Sequence, residues 1–370
     1  MKHKRIRRCR NLAEMKMPNL ILDGFSPYYQ LVKDMKAFTT LGEGIDGLKL
    51  NELPVPEPKA GEILVKMRAA SLNYRDLLVV NGIESWKPTS PRIPISDGVG
   101  EVLSVGDTIS RWKVGDRVAG LFLPKWLDGA LTAEKYVSPL GGATADGVLA
   151  EYVVFNEHAV VKAPNNLSDA ETATLPVAAL TAWHAVARRS QVRQGETVLI
   201  QGTGGVSLFA LQFVHALGAQ PLVISSSDQK LERAKTMGAS ATINYKKFPD
   251  WEEQIIELTG SKGVDHVIET VGGENLNRSL NAIKLSGTIS FIGLIAGLSA
   301  PINTYQFVTK NVQIHGIETG SRDMFEEMNR FIESHDLKPV IDKTFAFEEI
   351  HEALRYLESG THFGKVTIEF

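Results

Sequence analysis

Cysteine is nearly absent: Cys9 is the only one among 370 residues. That count excludes an intrachain disulfide, a four-cysteine zinc lobe and a thiolate-rich metal centre. No run approaches 18 uninterrupted apolar residues, which argues against a membrane span. Strong charge of one sign is also missing, since the formal net charge is only −3. It is unevenly spread. The first ten residues carry Lys2, Lys4, Arg5, Arg7, Arg8 and Arg10 and no acid, so the other 360 hold 34 basic and 43 acidic side chains, net −9. A mildly acidic body has no field to attract nucleic acid. The basic start lacks the apolar core of a secretory signal, and with the lone cysteine this predicts a reduced, cytoplasmic setting. Internal repeats and low-complexity tracts are lacking too.

What is present divides the chain. Residues 1–34 read as a disordered extension, and Met35 as the beginning of the fold. From Lys36 onward short apolar runs recur at 63–68, 100–105, 116–122, 149–155 and 159–163, bounded by Pro and Gly turns. That texture predicts a compact antiparallel, barrel-like domain. Residues 123–147 carry few signals, and a loop of that length is expected to be a lid or mobile. Residues 170–189 turn helical. Strands at 198–201, 222–225, 241–243, 264–269 and 288–292 then alternate with helices, predicting a doubly wound parallel sheet. Two amphipathic helices (324–335 and 347–359) and a closing strand at 366–370 complete the pattern.

The stretch TVLIQGTGGVS, residues 197–207, organises the second half. A buried strand ends at Gln201, and Gly202, Thr203, Gly204 and Gly205 form a turn. A helical stripe of Val206, Phe209, Ala210, Phe213, Val214 and Leu217 follows, closed by Gly218 as C-cap. Such a turn aims backbone N–H groups and the helix dipole at a pyrophosphate. The fingerprint is imperfect, because Ser207 stands where a third glycine is expected. At the end of the second strand come Ser225, Ser226 and Ser227, with no carboxylate before Asp228 and with Lys230 shortly after. Hydroxyls plus an ammonium suit the 2′-phosphate of NADP(H) better than the ribose diol of NAD. Ser227 or Asp228 also reads as a helix cap.

Together these residues resemble a known family. Ser71-Leu72-Asn73-Tyr74-Arg75-Asp76, Val99-Gly100-Glu101-Val102, Val114-Gly115-Asp116-Arg117-Val118, Ala179-Leu180-Thr181-Ala182-Trp183 and the glycine turn occur in the order of the medium-chain dehydrogenase/reductase superfamily. The branch most resembled is the zinc-independent quinone oxidoreductase and alcohol dehydrogenase-like group, over residues 35–370. The resemblance implies an α/β protein: a GroES-like β-barrel catalytic domain (35–178 and 314–370) plus a Rossmann sheet (179–313), nicotinamide in the cleft between them, and a homodimer. It further implies a 2′-phosphate held by Ser226, Lys230 and Tyr245, a pyrophosphate reached by Arg322 of Gly320-Ser321-Arg322, and Asn73 and Thr181 beside the nicotinamide. The positions matching the catalytic zinc ligands hold Asn73, Ser96 with Asp97, and Val177, a set that predicts no metal site.

Without a Lewis acid, a substrate carbonyl must be polarised by hydrogen-bond donors. Hydride addition to a quinone or α,β-unsaturated carbonyl needs the least activation, because the charge spreads over an enolate. Asn73 is then a contact to ring or substrate, and Tyr74 a candidate proton donor or pocket wall. Two other readings stay open: a zinc-free NADP-dependent alcohol dehydrogenase or aldehyde reductase, and a nucleotide-binding protein with vestigial catalysis.

Overall fold

The computed structural model describes residues 33–370, so the basic extension read at 1–34 lies outside the described residues but for its last two. The chain opens with a small antiparallel pair, β1 (Asp34–Thr39) and β2 (Lys49–Pro54). The long strand β3 (Glu62–Ser71) follows, then helix α1 (Tyr74–Val80), β4 (Asp97–Val105), β5 (Arg117–Gly120), β6 (Tyr152–Asn156) and β7 (Val160–Lys162). The predicted runs are these strands. The main departures are β4, which begins at Asp97, and β6, which starts at Tyr152.

The helical stretch after Ser168 is not one regular helix. It runs as α2 (Asp169–Ala173), a wide π turn over Leu175–Ala179, α3 (Leu180–Trp183) and a second π turn over His184–Arg189. Ser168 and Glu171 form a reciprocal capping box at its start. Pro176, which lacks an N–H, sits where the first widening begins. Such bulges often mark functional sites, and here they bracket Thr181.

The alternating half is β8 (Thr197–Gln201), α4 (Gly205–Ala216), β9 (Gln220–Ser225), α5 (Asp228–Thr236), β10 (Ala241–Asn244), α6 (Trp251–Leu258), β11 (Val264–Glu269), α7 (Asn275–Ala282) and β12 (Ile283–Phe291). Then come α8 (Thr304–Thr309), β13 (Gln313–Gly316), α9 (Arg322–Ser334), β14 (Ile341–Ala346), α10 (Ile350–Glu358) and β15 (Lys365–Glu369). Six strands pair in parallel in the order β10-β9-β8-β11-β12-β13. This is the doubly wound arrangement whose order reverses between β8 and β11, placing a ligand crevice at their carboxyl ends. The sheet extends through β13 to Gly316, past the residue 313 at which the domain was expected to end. Only Ile314 gives β13 an apolar signal that sequence periodicity can use.

The second sheet has seven strands, β14-β15-β3-β4-β5-β7 with β6 also on β3. Strand β15, from the far end of the chain, pairs antiparallel with β3. That pairing delivers the last residues beside the segment leaving β3. One core fills the barrel around Ile63, Val65, Met67, Leu149 and Val366. Another spans both domains, joining Leu121 and Val161 of the barrel to Trp183, Phe213 and Phe325. The domains are therefore welded by shared packing. Truncating a fully buried phenylalanine such as Phe213 in that seam should cost about 3–5 kcal/mol.

Candidate active site

The glycine turn follows β8 at the reversal point. Gly202 has φ +77, a value open chiefly to glycine. A Cβ on Gly204, the N-cap of α4, would meet nothing within 4 Å. There is thus room against the helix N-terminus for an anionic group, and the pyrophosphate of a dinucleotide fits that place. Ser207, in the third glycine's position, is not a defect. It is buried, and its hydroxyl donates to the Gln201 carbonyl at 2.6 Å, a carbonyl also bonded by Thr270 Oγ1 at 2.8 Å. Beside the turn, the buried Glu269 carboxylate accepts from Gln201, Asn275, Ser279 and the backbone N–H groups of Val271 and Gly272. The two strand ends that frame the crevice are thereby fixed to each other.

Ser225 and Asn244 are register partners at the ends of β9 and β10, and the Tyr245 N–H donates to the Ser225 carbonyl at 3.1 Å. Ser225, Ser226 and Tyr245 therefore meet at one edge of the crevice. Ser227 Oγ accepts from the Lys230 backbone N–H at 3.4 Å, which makes it the cap of α5. Asp228, the only acid near the strand end, is held by Asn244 at 2.7 Å and by Lys247 at 2.6 Å. Those partners lower its pKa and offset its charge. Lys230 Nζ donates to the main-chain carbonyls of Gly360 and His362 at 3.0 and 2.8 Å. It ties α5 to the segment entering β15 and keeps one donor in reserve.

At the other end of the crevice, Asn73 is the N-cap of α1. Its backbone N–H donates to Asp76 Oδ2 at 2.8 Å. Asp76 is fully buried, and burial pushes its pKa up to about 6 although Arg75 pulls it down. Arg75 Nη1 bonds Asp76 Oδ1 at 3.2 Å and the Leu140 carbonyl at 3.1 Å, and its guanidinium lies over the Phe122 ring. The 121–147 segment is thus anchored to α1, with Phe122, Leu123 and Trp126 buried. It is packed in place and has no regular secondary structure. Tyr74 is half-exposed and carries no side-chain hydrogen bond.

One residue at this end carried no sequence signal. Lys365 opens β15, is 3% exposed, and donates from Nζ to the Leu72 carbonyl and to Asn73 Oδ1, both at 2.6 Å. Asp97 Oδ2 lies 4.0 Å away. Asp97 is wholly buried, accepting from Ser96 Oγ at 3.0 Å and from the Val177 N–H at 3.3 Å. Burial raises the Asp97 pKa and lowers that of Lys365, and each opposes the other's shift. The lysine also joins the two ends of the crevice. Gly364 N–H donates to the Thr203 carbonyl at 3.0 Å, and a Cβ on Gly205 would stand 2.6 Å from Lys365 Cδ.

The structure therefore gathers Asn73, Gly205 and Lys365 into one continuous set. Thr181 is buried one turn beyond Val177. The Arg322 guanidinium bonds the His158 carbonyl at 3.4 Å and lies 3.7 Å from Glu326. A half-buried carboxylate, Glu318, just beyond β13, also went unread. Burial raises its pKa, with Arg75 opposing.

Comparison with known proteins decides the family. The alcohol dehydrogenase GroES-like domain model matches residues 59–165, and the zinc-binding dehydrogenase model matches residues 205–334. A zinc-type alcohol dehydrogenase-like protein of Schizosaccharomyces pombe is 44% identical over 88% of this chain and 96% of its own length. The chain belongs to the medium-chain dehydrogenase/reductase superfamily. A solved candidate alcohol dehydrogenase from Sinorhizobium meliloti shares 42% identity, with a TM-score of 0.86 over 92% of this chain and all of the other. The 2-methylene-furan-3-one reductase of Solanum lycopersicum is 32% identical over 90% of this chain and 79% of its own. Further relatives are named alcohol dehydrogenase and quinone oxidoreductase, and a solved neighbour is an NAD-dependent alcohol dehydrogenase. This medium-chain dehydrogenase/reductase is thus an oxidoreductase with a nicotinamide-binding fold.

Its donor set does not fit catalytic zinc. Asparagine and serine are poor zinc ligands, valine is none, and Asn73 and Asp97 lie against the Lys365 ammonium. Among the described residues no group of three or more His, Cys, Asp or Glu gathers to hold an ion, and no helix is long and apolar enough to cross a membrane.

Proposed function

We propose that the protein is a zinc-independent, NADPH-dependent reductase of a quinone or α,β-unsaturated carbonyl. One observation carries this reading: the positions that match the family's catalytic zinc ligands hold Asn73, Ser96 with Asp97, and Val177, with the Lys365 ammonium against Asn73 and Asp97, so hydrogen bonds are left to polarise an acceptor oxygen. Conjugated acceptors need the least polarisation, and a relative named for a methylene-furanone fits them.

The cofactor, when bound, supplies the hydride. Gly202, Thr203, Gly204, Gly205 and Val206 would hold its pyrophosphate, Ser225, Ser226, Lys230 and Tyr245 its 2′-phosphate, and Thr181 its nicotinamide end. Asn73 would contact the nicotinamide or the acceptor, where hydrogen-bond donors stabilise the negative charge that develops on the acceptor oxygen. The Tyr74 phenol, exposed and unbonded, supplies the closing proton. The buried seam between the domains holds Asn73 and the glycine turn in fixed relation, so little reorganisation is needed at the moment of transfer. A second copy of the chain is proposed to cover the open edge of β13 and the exposed apolar side chains Leu285, Ile295, Tyr305 and Val308. The setting is proposed to be cytoplasmic.

A panel of quinones, enones, aldehydes and primary alcohols tests the function. Consumption of NADPH with quinones or enones supports it. Turnover of alcohols and simple aldehydes alone would favour a zinc-free alcohol dehydrogenase, a reading encouraged by the relatives' names. Tight NADPH binding with no turnover would point to vestigial catalysis.

A further inference from the structure

The segment entering β15, residues 360–364, is bound to the cofactor domain along its length. The Gly360 and His362 carbonyls accept from Lys230 Nζ at 3.0 and 2.8 Å. Phe363 is buried in the core shared by both domains, with the Arg233 guanidinium 3.8 Å over its ring. The Gly364 N–H donates to the Thr203 carbonyl of the glycine turn at 3.0 Å. His362 thus stands on a strap that runs from the lysine of the proposed 2′-phosphate site to the turn of the pyrophosphate site. Its ring is half-buried, and neither ring nitrogen has a hydrogen-bond partner; only Nδ1 is enclosed, which leaves Nε2 as the open edge. Lys230 from α5 and Lys365 from β15 repel a proton there, and Asp342 of β14 attracts one. Asp342 is itself engaged, by Arg233 of α5 at 3.4 Å and by the Tyr356 hydroxyl of α10 at 2.6 Å. Burial first, and then the two ammoniums, hold the His362 pKa below the ordinary histidine range, so the imidazole of the empty protein is neutral.

We propose that His362 is a second cation of the 2′-phosphate site, charged only while the phosphate is bound. The assignment rests on the proposed NADPH dependence and adds a residue to it. A phosphate dianion beside Lys230 reverses the field at the ring, because it outweighs the ammonium that had repelled a proton. The imidazole then takes one proton from solvent, becomes a donor at both nitrogens, and releases the proton when the cofactor leaves. NADH brings a ribose diol in place of the phosphate, and His362 stays neutral beside it. A third lysine or arginine on the strap would be charged in the empty protein too and would repel Lys230 and Lys365 there. Histidine avoids that standing repulsion, since its ordinary pKa lies close enough to neutrality for one neighbour to decide its charge. Discrimination between the two cofactors therefore sharpens as pH falls, down to about pH 6, where the phosphate itself begins to protonate.

The test measures Kd for NADPH and for NADH by cofactor fluorescence between pH 6.5 and 8.5, in the wild type and in His362→Gln, which keeps a hydrogen-bonding side chain that cannot be charged. Wild-type protein should bind NADPH roughly tenfold more tightly at pH 6.5 than at pH 8.5, the scale expected when an opposite charge raises the pKa of one histidine by about 2. NADH should change by less than about twofold, having no charge at that place. In His362→Gln the slope for NADPH should vanish, while its Kd at pH 8.5, where the histidine is neutral in any case, stays within about threefold of wild type. Calorimetry on the wild type alone, at pH 7 in two buffers of different ionisation enthalpy, should show uptake of roughly half a proton or more with NADPH and almost none with NADH. That measurement decides the matter if the variant does not fold. Equal proton uptake with both cofactors, or an NADPH slope that survives in His362→Gln, would overturn this inference and leave the phosphate site standing. A wild type that binds NADH as tightly as NADPH at every pH would overturn the cofactor reading and this inference with it.

Discussion

Replacing Lys230 with alanine should change cofactor choice, and the geometry sets the size of the effect. The ammonium has three hydrogens, and two are already directed at the Gly360 and His362 carbonyls. The third is free to meet a 2′-phosphate without breaking either bond, so the phosphate gains one charge-assisted contact. Such a contact is worth about 1.5–3 kcal/mol, so KM for NADPH should rise roughly 10- to 150-fold. NADH has no phosphate there, and its KM should move by no more than about threefold. Preference is not expected to invert, because Ser226 and Tyr245 remain at the strand ends and Asp228 is already held by Lys247 and Asn244. Steady-state kinetics with both cofactors at saturating acceptor decides the matter. Equal effects on NADPH and NADH would show that Lys230 only ties α5 to the chain before β15, and the phosphate assignment would fall.

Three further outcomes are expected. Prolonged dialysis against a strong zinc chelator should leave the initial rate unchanged, and a loss restored by added zinc would refute the metal-free reading. Gly205→Ala should lower kcat at least tenfold, since its methyl group would meet Lys365 Cδ at 2.6 Å and Ala178 Cβ at 3.2 Å; unaltered kinetics would mean that the lysine stem is free to shift. Asp76 should make stability depend on pH: burial raises its folded pKa to about 6, above the ordinary 3.8 of an aspartate, so its neutral form is favoured by folding. The stability it adds is complete below the unfolded pKa and is lost as pH rises through about 6. Between pH 5 and 7.5 the loss is on the order of 1 kcal/mol. Urea unfolding at the two pH values should show that difference relative to Asp76→Asn, in which it disappears; an unchanged slope would remove Asp76 as its source.

The sheet of the cofactor domain was legible because its signals are local. Gly202 to Gly218 encodes a turn, an apolar stripe and a C-cap within one short stretch, and α4 is that stripe. Ser207 fitted the fingerprint poorly, yet its hydroxyl supplies a bond to Gln201 that a glycine could not. Strand β13 was not legible, because Gln313, His315 and Gly316 flank its single strong apolar residue. Lys365 was hidden for another reason. In the run Gly364 to Phe370 it reads as an ordinary polar residue, and only the pairing of β15 with β3 buries it beside a residue 292 positions earlier. Propensity and periodicity describe neighbours along the chain. This contact is made by the closure of the second sheet.

That closure also explains how an ionic site can sit inside a packed protein. Asp76 and Asp97 are buried acids, and Arg75 and Lys365 lie against them, so the group is close to neutral as a set. Neutrality does not make such a set strongly stabilising, since desolvation offsets much of the attraction. Removing any one member, however, leaves an uncompensated buried charge, at a cost of about 3–5 kcal/mol. Single substitutions here will therefore mix loss of fold with loss of chemistry, and a mutation series built from them would assign every member the same importance. Changes made in neutral pairs separate the two effects. If Lys365 and Asp97 are exchanged together for Met and Asn, the charge balance survives, and what is given up is the hydrogen bonding to Asn73, Leu72, Ser96 and Val177. A protein that stays folded and slows under that exchange shows that the set serves the chemistry beyond its part in the fold.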